Sequence, residues 1–311
     1  MVLSAMLTPA NSIAALLTLL PFFCAAFFPQ ATAARVRGLP LWARLLGPAA
    51  LSLPYLLVAC AAGQFRWGWL VLYAALPAAI AFLLWQAGRA TSNRPTQPPQ
   101  PAAGAPFGQP GNWREFVVLA ALGLAVDLRW FEGAWPAHLA IFNKMLLLDA
   151  GIWGFLFVRA LDGVGFDLRL RLRDAGIGLR ELAWYTPVAL VLGLSLGFLH
   201  LHGVWPGLAP MAGAWIFTFF FIAVPEELFF RGWLQNLLER RMGRTPALLL
   251  TAALFGLAHF NKRAAHFNWR YVLLAAVAGI FYGRAWRQER RVGASAITHA
   301  SVDAIWSLWL R

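Results

Sequence analysis

The chain has 311 residues, of which 60% are hydrophobic and 13% are charged, and its mean hydropathy is +0.62. A soluble domain of this length does not carry so apolar a composition, so we predict a polytopic membrane protein. The formal net charge of +13 comes almost entirely from arginine. Because the arginines stand in short loops beside apolar runs, they indicate membrane-protein loops in contact with anionic head groups and exclude nucleic acid as a partner.

Apolar runs that are long enough to cross the hydrocarbon core, about 20 residues each, recur along the chain. They cover residues 12–32, 41–62, 67–86, 138–160, 182–202, 208–224 and beyond, 246–260, 270–286 and 293–310. A shorter run at 116–126 lies between Glu115 and Asp127 and is a further candidate. The predicted fold class is therefore all-α, a transmembrane bundle of about nine or ten helices.

The first apolar run is expected to remain in the protein as a membrane helix. The residues before it, MVLSAMLTPAN, contain no Lys or Arg, whereas a secretory signal begins with a positively charged segment. The two cysteines, Cys24 and Cys60, lie within apolar runs and are too few for a disulfide framework. We expect an integral, multi-pass protein of the cell (inner) membrane of a bacterium.

A proline-rich stretch at residues 88–112 divides the chain. It contains six prolines together with Gly, Ser and Gln, so it can neither pack nor hold a helix. We therefore predict an N-terminal three-helix membrane region at 1–87, a linker at 88–112 and a C-terminal membrane domain at 113–311. The C-terminal domain holds every motif described below.

The segment FDLRLRL, residues 166–172, alternates apolar and charged residues, which by periodicity alone indicates a strand. A basic, amphipathic segment between two membrane runs is more typical of an interfacial connector in the head-group layer, and we prefer that interpretation. The sequence DAGIGLREL, which begins at Asp174, resembles a short interfacial helix that leads into the next run.

Ionisable residues inside apolar runs are rare and mark function, because each is costly to bury unless it is paired or faces a wet cavity. Three clusters lie in such runs: Glu226, Glu227 and Arg231; His259, four residues after Phe255; and His299 with Asp303. Few other charges are available nearby to satisfy all three clusters separately. We therefore interpret them as parts of one site.

Helical spacing separates the residues of the first cluster. Glu227 and Arg231 are four positions apart, so they share a helix face and are predicted to form an ion pair. Glu226 is turned by about 100° and is left free to point into the bundle, where a carboxylate can act as a general base. Pro225 is expected to kink or restart the helix, and Gly232 to allow close helix packing.

The second and third clusters add two imidazoles. Asp303 lies one helical turn after His299 and either orients its ring or acts with it on a substrate. One free carboxylate and two histidines suit the activation of water, and the same set suits zinc or another transition metal. The structural alternatives are that His259 is an interhelical hydrogen-bond partner and that Glu227 and Arg231 only satisfy each other. The residues alone therefore indicate a buried hydrolytic site, with or without a metal.

The order of the three motifs is similar to that of a known family. EELFFR, FGLAH and HASVD follow the patterns E-E-x-x-x-R, F-x-x-x-H and H-x-x-x-N of the CAAX-type intramembrane endopeptidases and bacteriocin-processing enzymes, the CPBP or Abi family. The resemblance covers about residues 181–311. It implies an all-helical intramembrane endopeptidase that cleaves a membrane-associated peptide or protein tail, in CAAX-type processing or in the maturation of a peptide or sorting signal.

The resemblance also implies roles for individual residues. Glu226 and His259 would activate a water, His299 and Asp303 would stabilise the oxyanion, and two residues, Glu227 and Arg231, would support the site. No cofactor is required in this mechanism, and the lipid bilayer and the peptide substrate are the expected partners. The sequence gives no indication of oligomeric state.

One residue departs from the family pattern. The last motif ends in Asp303 where the best-known members have Asn, and an ionised carboxylate cannot donate a hydrogen bond to an oxyanion. Asp303 must then be protonated, orient His299 or ligate a divalent metal such as zinc. If a metal is bound, its ligands would be Glu226, His259, His299 and Asp303. A transporter or proton relay built on the same buried residues is the alternative function, and an inactive scaffold is the third.

Overall fold

A computed structural model describes residues 8–92, 110–136, 139, 141–202, 205–262 and 266–310. Within these ranges the regular structure is helical and no β-strand is formed, which confirms the all-α fold class. Most of the predicted linker, residues 93–109, lies outside the described part. The described residues form two compact units that divide after Asp162.

The first unit contains six helices. They are α1 (Pro9–Phe27), α2 (Pro29–Arg37), α3 (Leu41–Ala61, with a 3-10 turn at Gly47–Ser52), α4 (Trp67–Ser92), α5 (Trp113–Asp127) and α6 (Ile141–Val158, ending in a π-helical turn at Trp153–Val158). The second unit contains the other five. They are α7 (Leu172–Ser195), α8 (Leu208–Met242), α9 (Arg244–Leu257), α10 (Trp269–Glu289) and α11 (Val292–Trp309).

Helices α5 and α6 pack with the N-terminal helices, although the sequence placed them in the C-terminal domain at 113–311. Asn112, which caps α5, donates to the carbonyl of Ala87 on α4 at 3.3 Å. On α6, a Cβ at Gly154 would lie 2.5 Å from the side chain of Leu84, so these helices are in close contact. The proline-rich composition identifies a segment between apolar runs. The boundary between the two compact units depends instead on which helices pack together.

Among the described residues, six helices are long and apolar enough to cross a membrane: α1, α3, α4, α6, α7 and α8. Helix α9 is apolar but shorter. The predicted runs at 270–286 and 293–310 are helical but are not among the six, because α10 and α11 carry arginines or the polar residues of the site. The protein is an integral, multi-pass membrane protein, with fewer spans by this measure than the nine or ten predicted.

The segment before α7 is extended but pairs with no strand. Val164, Phe166 and Leu168 are buried, and the Val164 carbonyl accepts from the indole of Trp286 at 3.1 Å. The alternation that resembled a strand therefore reflects packing against α10 and α11. The predicted separate interfacial helix is also wrong, because Asp174 and the residues after it belong to the continuous helix α7.

At one end of the second unit, buried carboxylates form ion pairs with arginines. Glu239 accepts from Arg287 and from Arg290, each at 2.7 Å, and Asp174 accepts from Arg291 at 2.7 Å. Both carboxylates are fully buried. We call these five residues the arginine-capped group. They join the ends of α8 and α10 to the beginnings of α7 and α11.

Candidate active site

Glu226 and Glu227 lie in the interior of α8, where the helix changes its winding. They belong to a single α-helical turn, Val224–Glu227, between two wider π-helical turns at Phe219–Ala223 and Leu228–Gln235. The helix continues through Pro225 and does not restart there, which corrects the predicted break. Such π-helical turns are frequent at functional sites because they change the direction of the side chains that follow.

Glu227 makes two contacts at once. Its Oε2 atom lies 3.1 Å from Nε of Arg231, and neither side chain is exposed, so the predicted ion pair is present. Its Oε1 atom accepts from Nδ1 of His299 at 2.9 Å. The helical spacing predicted that only Glu226 would face the histidines, and this prediction missed the contact of Glu227 with His299. Both carboxyl groups face the imidazole, but only that of Glu227 is within hydrogen-bond distance of it.

Arg231 connects this pair to a further helix. Its guanidinium donates to the carbonyl oxygen of Gly279 on α10 at 3.1 Å and lies 4.9 Å from the centre of the Phe255 ring on α9. A chain of contacts thus runs from Gly279 through Arg231 and Glu227 to His299, and it links α10, α8 and α11. Gly232, predicted to allow helix packing, instead faces the extended segment, since a Cβ there would lie 2.9 Å from Val164.

The second nitrogen of His299 faces two further carboxyl groups. Nε2 lies 3.6 Å from Asp303 and 3.9 Å from Glu226, which is longer than a direct hydrogen bond. Gaps of this size between polar atoms are suited to a bridging water or a substrate oxygen. The side chain of His299 is 3% exposed, against 23% for Glu226 and 30% for Asp303, so the two carboxyl groups form the accessible edge. Glu227, at 2.9 Å from Nδ1, lies closer to the ring than Asp303, at 3.6 Å from Nε2.

His259 lies in the turn that follows α9. Its Nδ1 atom is 2.8 Å from the carbonyl oxygen of Phe255. A carbonyl oxygen accepts but cannot donate, so Nδ1 carries the proton and Nε2 is the basic atom of the neutral ring. The predicted interhelical partner is therefore not needed for this nitrogen, which is satisfied by its own helix.

Aromatic rings hold the two imidazoles. The Phe255 ring lies 4.9 Å from that of His259 and 5.6 Å from that of His299, nearly perpendicular to the latter. Tyr282 of α10 stacks on His299 with centroids 4.6 Å apart and 15° between the ring planes. Phe255 belongs to a motif, but Tyr282 does not. A single tyrosine in an apolar helix carries no sequence signal that would have identified it.

An open, largely apolar cavity adjoins this cluster. His259, His299 and Asp303 line it together with aliphatic and aromatic side chains of α7, α10 and α11, and its volume is about 80 Å³. A pocket that combines apolar walls with a few convergent polar groups is the usual form of a binding or catalytic site. We call Glu226, Glu227, His259, His299 and Asp303 the histidine group.

The predicted metal ligands include two histidines that each already have one ring nitrogen engaged. Within the described residues, no group of three or more His, Cys, Asp or Glu side chains is arranged to hold a metal ion. The Nδ1 atoms of His259 and His299 are already engaged, by Phe255 and by Glu227. Metal dependence stays a prediction that chelation tests.

The fold and this cluster define a class: a polytopic helical membrane protein with buried carboxyl and imidazole groups beside an apolar cavity. Residues 208–305 match the family model described as type II CAAX prenyl endopeptidase Rce1-like. The match contains all three motifs, from Glu226 to Asp303, and confirms the resemblance to the CPBP family over this region. No curated protein and no solved structure matches the chain.

Proposed function

We propose that the protein is an intramembrane endopeptidase that hydrolyses a peptide bond in a membrane-associated peptide or protein tail. The observation that carries the proposal is the convergence of Glu226 and Asp303 within 3.9 Å of one imidazole nitrogen, beside a cavity that contains a second imidazole. This convergence lies inside the region that matches the endopeptidase family model.

In the proposed mechanism, Glu226 and His259 activate a water. The side chain of Glu226 is 23% exposed and lies 3.9 Å from Nε2 of His299, so its carboxylate can take a proton from a water at that nitrogen. His259 has its Nδ1 proton directed at Phe255, which leaves Nε2 as an acceptor toward the same water. Glu226 later returns the proton to the departing amine.

His299 and Asp303 are proposed to stabilise the oxyanion. When Nε2 of His299 carries a proton, it donates to the oxygen of the attacked carbonyl. Glu227 holds the opposite nitrogen at 2.9 Å, and Arg231 holds Glu227, so the ring is oriented before the substrate binds. Asp303 contributes a donor only in its protonated form.

The test is a cleavage assay with the purified full chain in lipid and a library of membrane-tethered peptides. We expect Glu226→Gln to lower kcat by about 10²- to 10⁴-fold, the usual contribution of a general base. The matched control is Glu289→Gln, because Glu289 pairs with Arg173 at the far end of α10. Cleavage that is unaffected by Glu226→Gln would refute the proposed base.

Two further measurements distinguish the metal-free protease from a metal-assisted protease and from a transporter. Cleavage that is lost on chelation and restored by zinc would replace the metal-free mechanism with a metal-assisted one. Proton flux in liposomes without cleavage of any peptide would favour the transporter or proton relay.

A further inference from the structure

Tyr282 belongs to none of the three motifs, yet its ring is stacked directly on His299. The ring is 2% exposed and lies parallel to the imidazole at 4.6 Å. Phe255 packs against it edge to face at 5.7 Å, and the Arg231 guanidinium lies 5.8 Å from its centre. The position of the phenol relative to His299 is therefore held by rigid neighbours.

The hydroxyl of Tyr282 has no hydrogen-bond partner among the described residues. Buried tyrosine hydroxyls usually have one. The hydroxyl of Tyr185 donates to the Leu274 carbonyl at 3.3 Å, and that of Tyr55 donates to the Arg66 carbonyl at 3.1 Å. Tyr282 also lines the cavity that contains His259, His299 and Asp303. A molecule in the cavity therefore lies beside the Tyr282 side chain, the only polar atom of which is this hydroxyl.

The proposed chemistry lacks one donor that this hydroxyl can supply. An oxyanion is stabilised by several donors positioned in advance, and His299 provides one. The last motif has Asp303 where an amide would donate, and an ionised carboxylate has no proton to give. Tyrosine hydroxyls serve as oxyanion donors in other enzymes.

We propose that Tyr282 is a further catalytic residue whose hydroxyl donates a hydrogen bond to the oxyanion. This rests on the proposed hydrolase function. As the water oxygen bonds to the carbonyl carbon, Glu226 takes its proton and the carbonyl π pair moves to the oxygen. That oxygen accepts from His299 and Tyr282, and Tyr282 keeps its proton. On collapse the C–N bond breaks and the amine takes the proton from Glu226.

The test compares Tyr282→Phe with the wild-type chain in the peptide cleavage assay. The substitution keeps the ring on His299 and removes only the hydroxyl. We expect kcat to fall by about 10²-fold with KM unchanged, since removal of one oxyanion donor costs about 10² to 10³ in kcat. Tyr55→Phe, which removes a buried tyrosine hydroxyl in the first unit, is the matched control and keeps wild-type kcat. Adding Asp303→Asn to Tyr282→Phe supplies an amide donor and restores part of the loss.

A second measurement needs no turnover. A peptidyl phosphinate, whose anionic oxygen resembles the tetrahedral oxyanion, should bind Tyr282→Phe more weakly by the same factor as the loss in kcat. Unchanged kcat in Tyr282→Phe, while Glu226→Gln is inactive, would overturn the role of Tyr282 and leave the hydrolase intact. Lower kcat with unchanged phosphinate affinity would also overturn it, because the effect would then be structural. Full activity of Glu226→Gln would instead count against the proposed function itself.

Discussion

Two groups of charged residues in the second unit differ in how far their carboxyl groups are exposed. In the arginine-capped group, Glu239 accepts from Arg287 and Arg290 at 2.7 Å and from Gln235 at 3.0 Å. In the histidine group, Glu226 and Asp303 stop at 3.9 and 3.6 Å from the imidazole they face. Both groups are expensive to bury, but the side chains of Glu226 and Asp303 are 23% and 30% exposed, whereas that of Glu239 is fully buried. Charge that is left partly open beside a cavity is available for chemistry.

The largest expected effect is at Glu227, whose carboxylate both pairs with the buried Arg231 and accepts a hydrogen bond from His299. Glu227→Gln leaves Arg231 as an unpaired buried cation, so we expect a loss of about 3–5 kcal/mol in the free energy of unfolding. We also expect lower kcat, because an amide holds the Nδ1 proton of His299 less strongly. Denaturant unfolding of the lipid-reconstituted chain and the cleavage assay measure the two effects.

The double variant Glu227→Gln/Arg231→Met separates the two losses. Methionine suits the aromatic surroundings of Arg231, so stability should recover while kcat stays low. Recovery of both quantities would mean that Glu227 has no part in the chemistry.

The second effect concerns the arginine-capped group. Glu239→Gln weakens two charge-assisted hydrogen bonds, and we expect stability to fall by about 2–3 kcal/mol. Because this group lies away from the cavity, kcat per folded molecule should not change. A large loss of kcat at full folding would break the distinction between a closed structural group and an open chemical one.

The third effect is an increase in kcat when Asp303 is replaced by Asn. Its carboxylate is 30% exposed and lies 3.6 Å from Nε2 of His299, so we expect Asp303→Asn to change the free energy of unfolding by less than about 1 kcal/mol. An amide can donate to the oxyanion, and we expect kcat to rise by up to about tenfold, the value of one hydrogen bond. A tenfold fall would show that the carboxyl group itself is needed, as a proton carrier or as a metal ligand.

The smallest effect is at the edge of the arginine-capped group, at Asp167. The hydrogen bond from the Arg169 guanidinium lowers the pKa of Asp167 to about 2 from its ordinary value of 3.8. The contribution of this carboxylate to stability is therefore present above pH 3.8 and is lost as the pH falls toward 2. Thermal unfolding between pH 5 and pH 2 should show a small difference between wild type and Asp167→Asn that disappears at the acidic end. A constant difference would contradict the assigned pKa.

Spacing anticipated part of the site and missed the rest for identifiable reasons. The ion pair of Glu227 and Arg231 lies within one helix, so the helical repeat predicted it. The bond from His299 to Glu227 crosses from α11 to α8, and no repeat within one helix can report such a contact. The stacking of Tyr282 on His299 crosses between helices in the same way.

The sequence by itself determined the class of the protein, its all-α character and the three motifs, because hydropathy and residue spacing are local properties of the chain. It did not determine that α5 and α6 pack with the N-terminal helices, that α8 continues through Pro225, or that Glu227 contacts both Arg231 and His299. Those features depend on which helices meet and at what rotation. Only the tertiary structure decided them, since contact energies between distant segments are added only when the whole bundle packs.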